Sequence, residues 1–454
     1  MSQLKIGFSK VNINPPLGSA IFGYYVPRYA KGFLDNLEAR TLVLEHDGNK
    51  YAIINIDNCA FPAYMVKDFC SKISRETEIC ENSIMINATH THTGPFMQKS
   101  SMFDVSEEEI NSYVKFLSQR LVDGVIMANS DLTPGKVGYI VGEAPERVSY
   151  IRRYRMKDGT TMTCPPVSNP DIAHPLGELD RRVNVLRFDR ENSNSIVIVN
   201  YGVHADTTGG EYFSADFPHW LRETLYKALD GVECMFIPGA EGDVGSTNTN
   251  PKDGDMNDTE ISFDNEMKSP GMARFVGRAL AGTVLQVYDK VKYTDIDDVK
   301  ILTKTVKIPT NLPNPEDLPL ARKYMELHDL GNDDEIPFEG MELTTVVAEA
   351  ARMVSLENGP EYFEFELICL KIGDIALVGI PGEPFTDIGV EIKKCPGWGI
   401  IFPCAITNGC EGYFPTKSAY DEGGYEARSS PFKSDVAKLV IEGAKALLTD
   451  IRLT

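Results

Sequence analysis

One recurring unit constrains this chain more than its composition does. A short apolar run, rich in β-branched residues, stops abruptly at a polar or glycine-bearing loop. Tyr51-Ala-Ile-Ile-Asn-Ile56 runs into Asp57, Ile84-Met-Ile-Asn-Ala88 into Thr89-His90-Thr-His92, and Ser195-Ile-Val-Ile-Val-Asn-Tyr201 into Gly202-Val-His204. Cys234-Met-Phe-Ile-Pro238 likewise opens onto Gly239-Ala-Glu241-Gly-Asp243-Val-Gly245-Ser246. Such runs read as strands. Helical patterns separate them near 62–78, 106–129, 216–229, 271–291 and 432–448, the second opened by Ser106 ahead of Glu107-Glu-Glu. Asp47-Gly48 and Gly373-Asp374 mark hairpins, and strands are expected at 297–308 and near 398–406. Residues 313–358 read as a helical insertion and 408–430 as a loop rich in glycine and tyrosine. The expected fold class is α/β: one large mixed-sheet domain over residues 1–454, with helices packed around it. Chemistry is expected past the strand ends, where open α/β sheets collect ligands.

Composition narrows the partners. A net charge of −21 repels phosphate backbones and anionic lipid surfaces, so neither nucleic acid nor a membrane is expected as partner. The sequence has no glycine fingerprint for a dinucleotide and no phosphate-binding loop. Nine cysteines without C-x-x-C spacing read as reduced thiols. With no apolar leader at Met1 and no bilayer-length apolar window, the expectation is a cytoplasmic protein acting on a small molecule. The oligomeric state has no signature in the sequence.

His90 and His92 end one strand, two residues apart, so extended backbone points both imidazoles to one side. His204 follows another strand, Glu383 sits in Pro381-Gly-Glu after a third, and Tyr413 and Tyr425 lie in the late loop. Two histidines and a carboxylate with an open position form the pattern of a catalytic zinc site, although strand-end polar residues also serve as caps and turn formers.

Ala88-Thr-His-Thr-His-Thr-Gly-Pro95 resembles the Ala-Thr-His-Thr-His-Ser-Gly-Pro signature of the neutral/alkaline, non-lysosomal ceramidases. Asn200-Tyr-Gly-Val-His204 is similar to that family's second histidine segment, and Gly379-Ile-Pro-Gly-Glu-Pro-Phe-Thr386 to its Pro-Gly-Glu-x-x-Thr segment. Asn408-Gly-Cys-Glu-Gly-Tyr413 and Gly424-Tyr425-Glu426 match its two late tyrosines. The resemblance implies zinc held by His90, His204, Glu383 and Tyr413, with His92 and Tyr425 touching the scissile carbonyl. It also implies an arginine, for which Arg152 is the nearest match and Arg147 and Arg153 are rivals. The implied activity is hydrolysis of an N-acyl amide by zinc-activated water. A zinc-dependent ester or lactone hydrolase and an inactive ligand-binding homologue are the alternatives.

Two departures from the family bear on mechanism and substrate. After Gly242-Asp243-Val244 the family has a serine needed for activity; here Gly245 precedes Ser246. Either Ser246 serves from a shifted backbone, or Asp243 or Glu241 acts instead. The full-length enzymes carry a signal peptide and a C-terminal immunoglobulin-like domain, neither of which is expected for this protein, and Asn248 to Asp258, expected at the pocket rim, is polar. The expected substrate is therefore small and water-soluble rather than ceramide. Asp216 and His219 read either as partners of the metal ligands or as a helix cap and a packed imidazole.

Overall fold

Asp47 and Gly48 both take positive φ, 49° and 78°, the pairing that a two-residue hairpin connection demands. This hairpin lies within the largest sheet of a computed structural model that describes residues 3–98, 104–251 and 268–453. Its strands are β1 (Lys5–Asn12), β2 (Glu38–His46), β3 (Asn49–Ile56), β4 (Ile84–Ala88), β5 (Thr133–Glu143), β6 (Arg182–Arg190), β7 (Ser193–Tyr201), β8 (Glu233–Pro238) and β9 (Lys292–Tyr293). They run in the order β8-β7-β6-β5-β1-β2-β3-β4, with β9 beside β5. The pairs β3–β4 and β7–β8 are parallel and the rest antiparallel. The sheet curls until its two ends approach. The Asn55 amide on β3 donates to the Phe236 carbonyl on β8 at 2.8 Å, and the Arg40 guanidinium on β2 donates to the Cys234 carbonyl at 3.0 Å. The curl carries the C-terminal ends of β4, β7 and β8, the three segments with the chemical residues, toward one another.

Later strands are β10 (Val299–Pro309), β11 (Tyr362–Ile372), β12 (Ile375–Gly379), β13 (Glu383–Pro384), β14 (Ile400–Cys404) and β15 (Tyr413–Phe414). β10, β11, β12 and β14 form a second sheet, while β13 and β15 pair in parallel as a short ladder. Leu42, Ile53, Leu186 and Ile198 of the first sheet share a core with Leu370, Leu377 and Phe402 of the second. Helices close the outer faces. Those on the first sheet are α1 (Ala63–Glu76) and α2 (Glu107–Ser130), which pack Phe69 and Leu121 inward, and α3 (Phe217–Ala228) and α4 (Pro270–Val287), which pack Leu221 and Val284. Ser106 and Glu109 make the reciprocal cap that starts α2. The helical insertion comprises α5 (Leu318–Asp329) and α6 (Gly340–Ser355), with a core of its own around Ile336, Val346 and Val347. On the second sheet, α7 (Thr386–Lys393) and α10 (Val436–Leu453) bury Ile388 and Leu447.

The expected mixed sheet with surrounding helices is present, joined by a second sheet packed on its inner face. The 408–430 segment is more ordered than a loop: it holds β15, α8 (Lys417–Glu422) and α9 (Tyr425–Ser429). Helices of five and six residues are too short to show a helical period, and Thr416 and Gly424 cap them. The strands expected at 297–308 are one continuous strand, β10. Most of Asn248 to Asp258 lies outside the described residues. All nine cysteines are free thiols, and among the described residues no helix is long and apolar enough to cross a membrane.

Candidate metal centre

Two of the strand-end histidines are each fixed first by a backbone carbonyl. Past β4, His90 Nδ1 donates to the Cys59 carbonyl at 2.8 Å; past β7, His204 Nδ1 donates to the Val244 carbonyl at 3.0 Å. These bonds set the tautomers and leave both Nε2 lone pairs facing inward. They meet Glu383 Oε2, 3.4 Å from His90 Nε2 and 3.0 Å from His204 Nε2, and all three residues are buried. Zinc with ligands at about 2.0–2.1 Å in tetrahedral array separates its donors by about 3.3 Å. With the Nδ1 protons spent on carbonyls, lone pairs face a carboxylate oxygen and a cation suits the space between them. Cys59, His90 and His92 form a second group of possible ligands. Cys59 Sγ, however, lies 3.7 Å from Nδ1 of His90, the nitrogen already bonded to a carbonyl. The first group therefore fits better.

The three groups interact strongly: burial alone would lower His90, but Cys59 and Glu383 outweigh it and hold its imidazole well above the usual range. Burial first, and then the Arg152 guanidinium, push His204 down to about 4, so its imidazole is neutral near pH 7. Burial alone would raise the Glu383 carboxyl, but His90 and His204 outweigh it and hold the group well below the usual carboxylate range.

Tyr413 reaches this cluster through the β13–β15 ladder, which sets it directly opposite Glu383. Its ring stands 5.5 Å from that of Tyr425, and the Arg152 guanidinium lies 5.3 Å from the Tyr413 ring centre. His92 Nε2 is 3.4 Å from His90 Nε2. Its backbone is held by Arg28, which donates to the His92 carbonyl at 2.7 Å. Gly23 passes so close that a Cβ there would lie 2.7 Å from His92 Cβ, at a φ of +119°. Only glycine suits that approach.

Among the three candidate arginines, Arg152 faces the cluster. It is 3.2 Å from His204 Nε2, donates to the Gly242 carbonyl at 2.8 Å and pairs through Nε with Glu426 at 2.7 Å. Arg153 turns instead to Glu422 and the Gly423 carbonyl, and Arg147 is exposed. Asp243 and Ser246 are engaged elsewhere. The Asp243 carboxylate accepts the Thr386 N–H and hydroxyl at the start of α7, both at 2.8 Å, and burial pushes it up to about 6. Ser246 donates to the Asp206 carbonyl at 3.5 Å. Glu241 is fully buried, which drives its carboxyl well above the usual range. Asp216, at a positive φ of 59°, caps α3 and accepts the N–H groups of Thr207 and Thr208, pinning the loop after His204. His219 packs edge-on against Trp220.

A cavity of about 280 Å³ opens beside the cluster, lined in part by His92, Arg152, Tyr413 and Tyr425. Its other residues include a network that sequence reasoning missed: Asp206 accepts from Tyr24 at 2.6 Å and pairs with Lys268 at 3.0 Å. Asp206 stands two residues past His204 and could have been read from the same alternation that joined His90 to His92. Glu426, the buried partner of Arg152, follows Tyr425 directly, yet nothing in its type marks it as buried.

No family profile matches the chain. The neutral ceramidase of Pseudomonas aeruginosa is 23% identical to it over 461 residues, 86% of this chain. The crystal structure of neutral ceramidase from Pseudomonas aeruginosa superposes with a TM-score of 0.71 over 99% of this chain and 75% of that one, at 19% identity. A structure of ceramidase complexed with C2 gives 0.69 over 99% of this chain and 76% of that one, at 18% identity. This chain is a neutral ceramidase homologue. It spans 63% of the length of the Pseudomonas aeruginosa protein it matches in sequence, and with the two solved structures it shares the α/β fold.

Proposed function

We propose that this ceramidase homologue is a zinc-dependent hydrolase that cleaves the amide bond of an N-acyl substrate. The convergence of His90 Nε2, His204 Nε2 and Glu383 Oε2 beside a cavity carries the reading. The name of the homologue supports an amide as the bond attacked, since ceramide is an N-acylated amino alcohol. Zinc would be held by His90, His204 and Glu383 with Tyr413 as a fourth side chain, and when bound it supplies Lewis acidity and an activated water at neutral pH.

The remaining roles belong to side chains of the chain itself. Burial pushes the Tyr425 hydroxyl well above its usual range, so it keeps its proton and can donate to the carbonyl oxygen as charge develops there. Burial likewise pushes His92 well below its usual range, making it a neutral donor on the other side of the cluster. One such donor contributes about 10²–10³-fold to the rate. Arg152, anchored by Glu426, adds fixed positive charge between His204 and Tyr413.

The test combines elemental analysis with hydrolysis of N-acyl amides before and after chelation. One zinc per chain, and amide turnover lost on chelation and restored by zinc, is the expected result. Turnover of esters or lactones with every amide refused would overturn the choice of bond, and full activity without metal would overturn the centre.

A further inference from the structure

We infer that His328, oriented by Asp333, is a specificity-determining residue that binds a hydroxyl group of the substrate inside the cavity. This rests on the amide-hydrolase reading above. The helical insertion lines the cavity with polar side chains as well as apolar ones: His328, Asp333 and Thr344 stand beside Met341, Leu343 and Val347. The way α5 stops places the His328 ring. Gly331, at a φ of +74°, turns the chain back on itself; its N–H donates to the His328 carbonyl at 3.0 Å, and the Asn332 N–H to the Leu327 carbonyl at 2.9 Å. Helices commonly close this way, with a left-handed glycine just past the end. The returning chain brings up Asp333, whose carboxylate accepts from His328 Nδ1 at 2.8 Å.

Other ionic groups of the cavity are already engaged with protein partners. Asp206 is paired with Lys268 and accepts from Tyr24, and Arg152 is paired with Glu426. His328 differs. Asp333 takes Nδ1, and among the described residues no protein group bonds Nε2, on a side chain that is only 10% exposed and lines the cavity. A carboxylate only accepts, so Nδ1 carries the proton, and in the neutral ring Nε2 keeps a lone pair. A hydroxyl donates to that lone pair, and it accepts instead when the ring holds a second proton. An ammonium ion can only donate, and a carboxylate on the substrate would meet Asp333 and Asp206 in the same cavity. A hydroxyl is the group that suits both states of the ring.

The pair is also tied to the reacting end of the cavity. Leu327, next to His328, and Tyr25 pack on the core of the insertion, and Tyr25 meets the Tyr425 ring edge-on at 6.5 Å. Arg428 on α9 is paired with Glu342 at 2.7 Å and Glu349 at 2.6 Å, both on α6, and the first residue of α9 is Tyr425. His328 is thus held in a set relation to the proposed carbonyl donor. It selects where along a substrate the hydroxyl sits, not polarity alone.

The decisive experiment compares amides of equal size: the butyryl amide of propylamine, the butyryl amide of ethanolamine, and the propylamide of β-hydroxypropionic acid. Each is titrated into the zinc-stripped full chain by ligand-observed NMR, where no turnover intervenes, and each is assayed for hydrolysis by the zinc-loaded protein. One hydroxylated amide should bind about two- to twelvefold more tightly than the plain one, the net effect of a single hydrogen bond. Which one it is places the hydroxyl on the amine or the acyl half. His328→Phe should erase that preference while the plain amide still binds. Asp333→Asn keeps an acceptor for Nδ1 and should keep the preference, whereas Asp333→Ala should lower it even where His328→Phe fails to fold. Both residues are partly exposed, so the fold should tolerate these changes. Equal affinity for all the amides, no binding of any, or a preference that His328→Phe and Asp333→Ala leave intact overturns the inference. The preference without hydrolysis of any amide would keep the contact and sink the amide-hydrolase reading instead.

Discussion

Replacing Glu426 with alanine should be among the costliest single changes in this chain. Its carboxylate is fully buried, 2.7 Å from Arg152 Nε and 3.7 Å from Arg153 Nε, and it accepts the Thr163 hydroxyl at 2.8 Å. Without it, two guanidiniums remain inside the protein without their shared counter-ion, and breaking a buried pair in this way costs about 3–5 kcal/mol. Unfolding entropy near 2.1 cal/mol/K per residue gives about 1 kcal/mol/K over 454 residues. The melting midpoint should therefore fall by about 3–5 °C in a single cooperative transition, measured by scanning calorimetry. Hydrolysis should fall by at least about tenfold, because Arg152 loses the anchor that aims it at His204. Glu426→Gln, which keeps an acceptor for Thr163 but no charge, should lie between parent and alanine variant. An alanine variant melting within about 1 °C of the parent would show that the two arginines are held by other groups.

Three further outcomes follow from the same geometry. His90→Ala and His204→Ala should each lose the zinc that elemental analysis finds in the parent, and full occupancy in both would refute the ligand assignment. Ser246→Ala should keep most of the hydrolysis that Glu383→Ala abolishes; an equal loss in both would give the serine a place in the reaction. Asp243 should make the fold less stable as pH rises through the acid range. Burial lifts its folded value to about 6 from an ordinary 3.8. The unfolded chain therefore releases that proton first, and about 3 kcal/mol of stability is lost between pH ~4 and ~6 and no more above. Asp243→Asn does not titrate, so its melting point relative to the parent should climb over that window and then level off; a constant difference would refute the shift.

Much of the fold was legible because each buried strand stops where its chemistry begins. Ile84 to Ala88 and Ser195 to Tyr201 are apolar enough to be recognised as strands, and the polar residues after them could only lie at their ends. The second sheet was not separable from the first. Leu370 and Phe402 are no different in kind from Leu42 and Ile53, and only packing assigns them to opposite layers. His90, His204 and Glu383 could be picked as a group from strand ends and a resemblance, but the ion pair of Asp206 with Lys268 joins segments that no local pattern connects. Tyr25 is also invisible in advance, since its role comes from a contact with Tyr425 across the whole chain.

The ladder of β13 and β15 is only two rungs long, Glu383 beside Tyr413 and Pro384 beside Phe414, yet it sets two cluster residues side by side. What descent must preserve here is register, not distance along the chain. A slip of one rung would turn Tyr413 to the opposite face, whereas lengthening the connection between the rungs costs little, because closure entropy grows only with the logarithm of loop length. Added residues should be absorbed in the turn at 395–399 and should be ruinous next to residue 413.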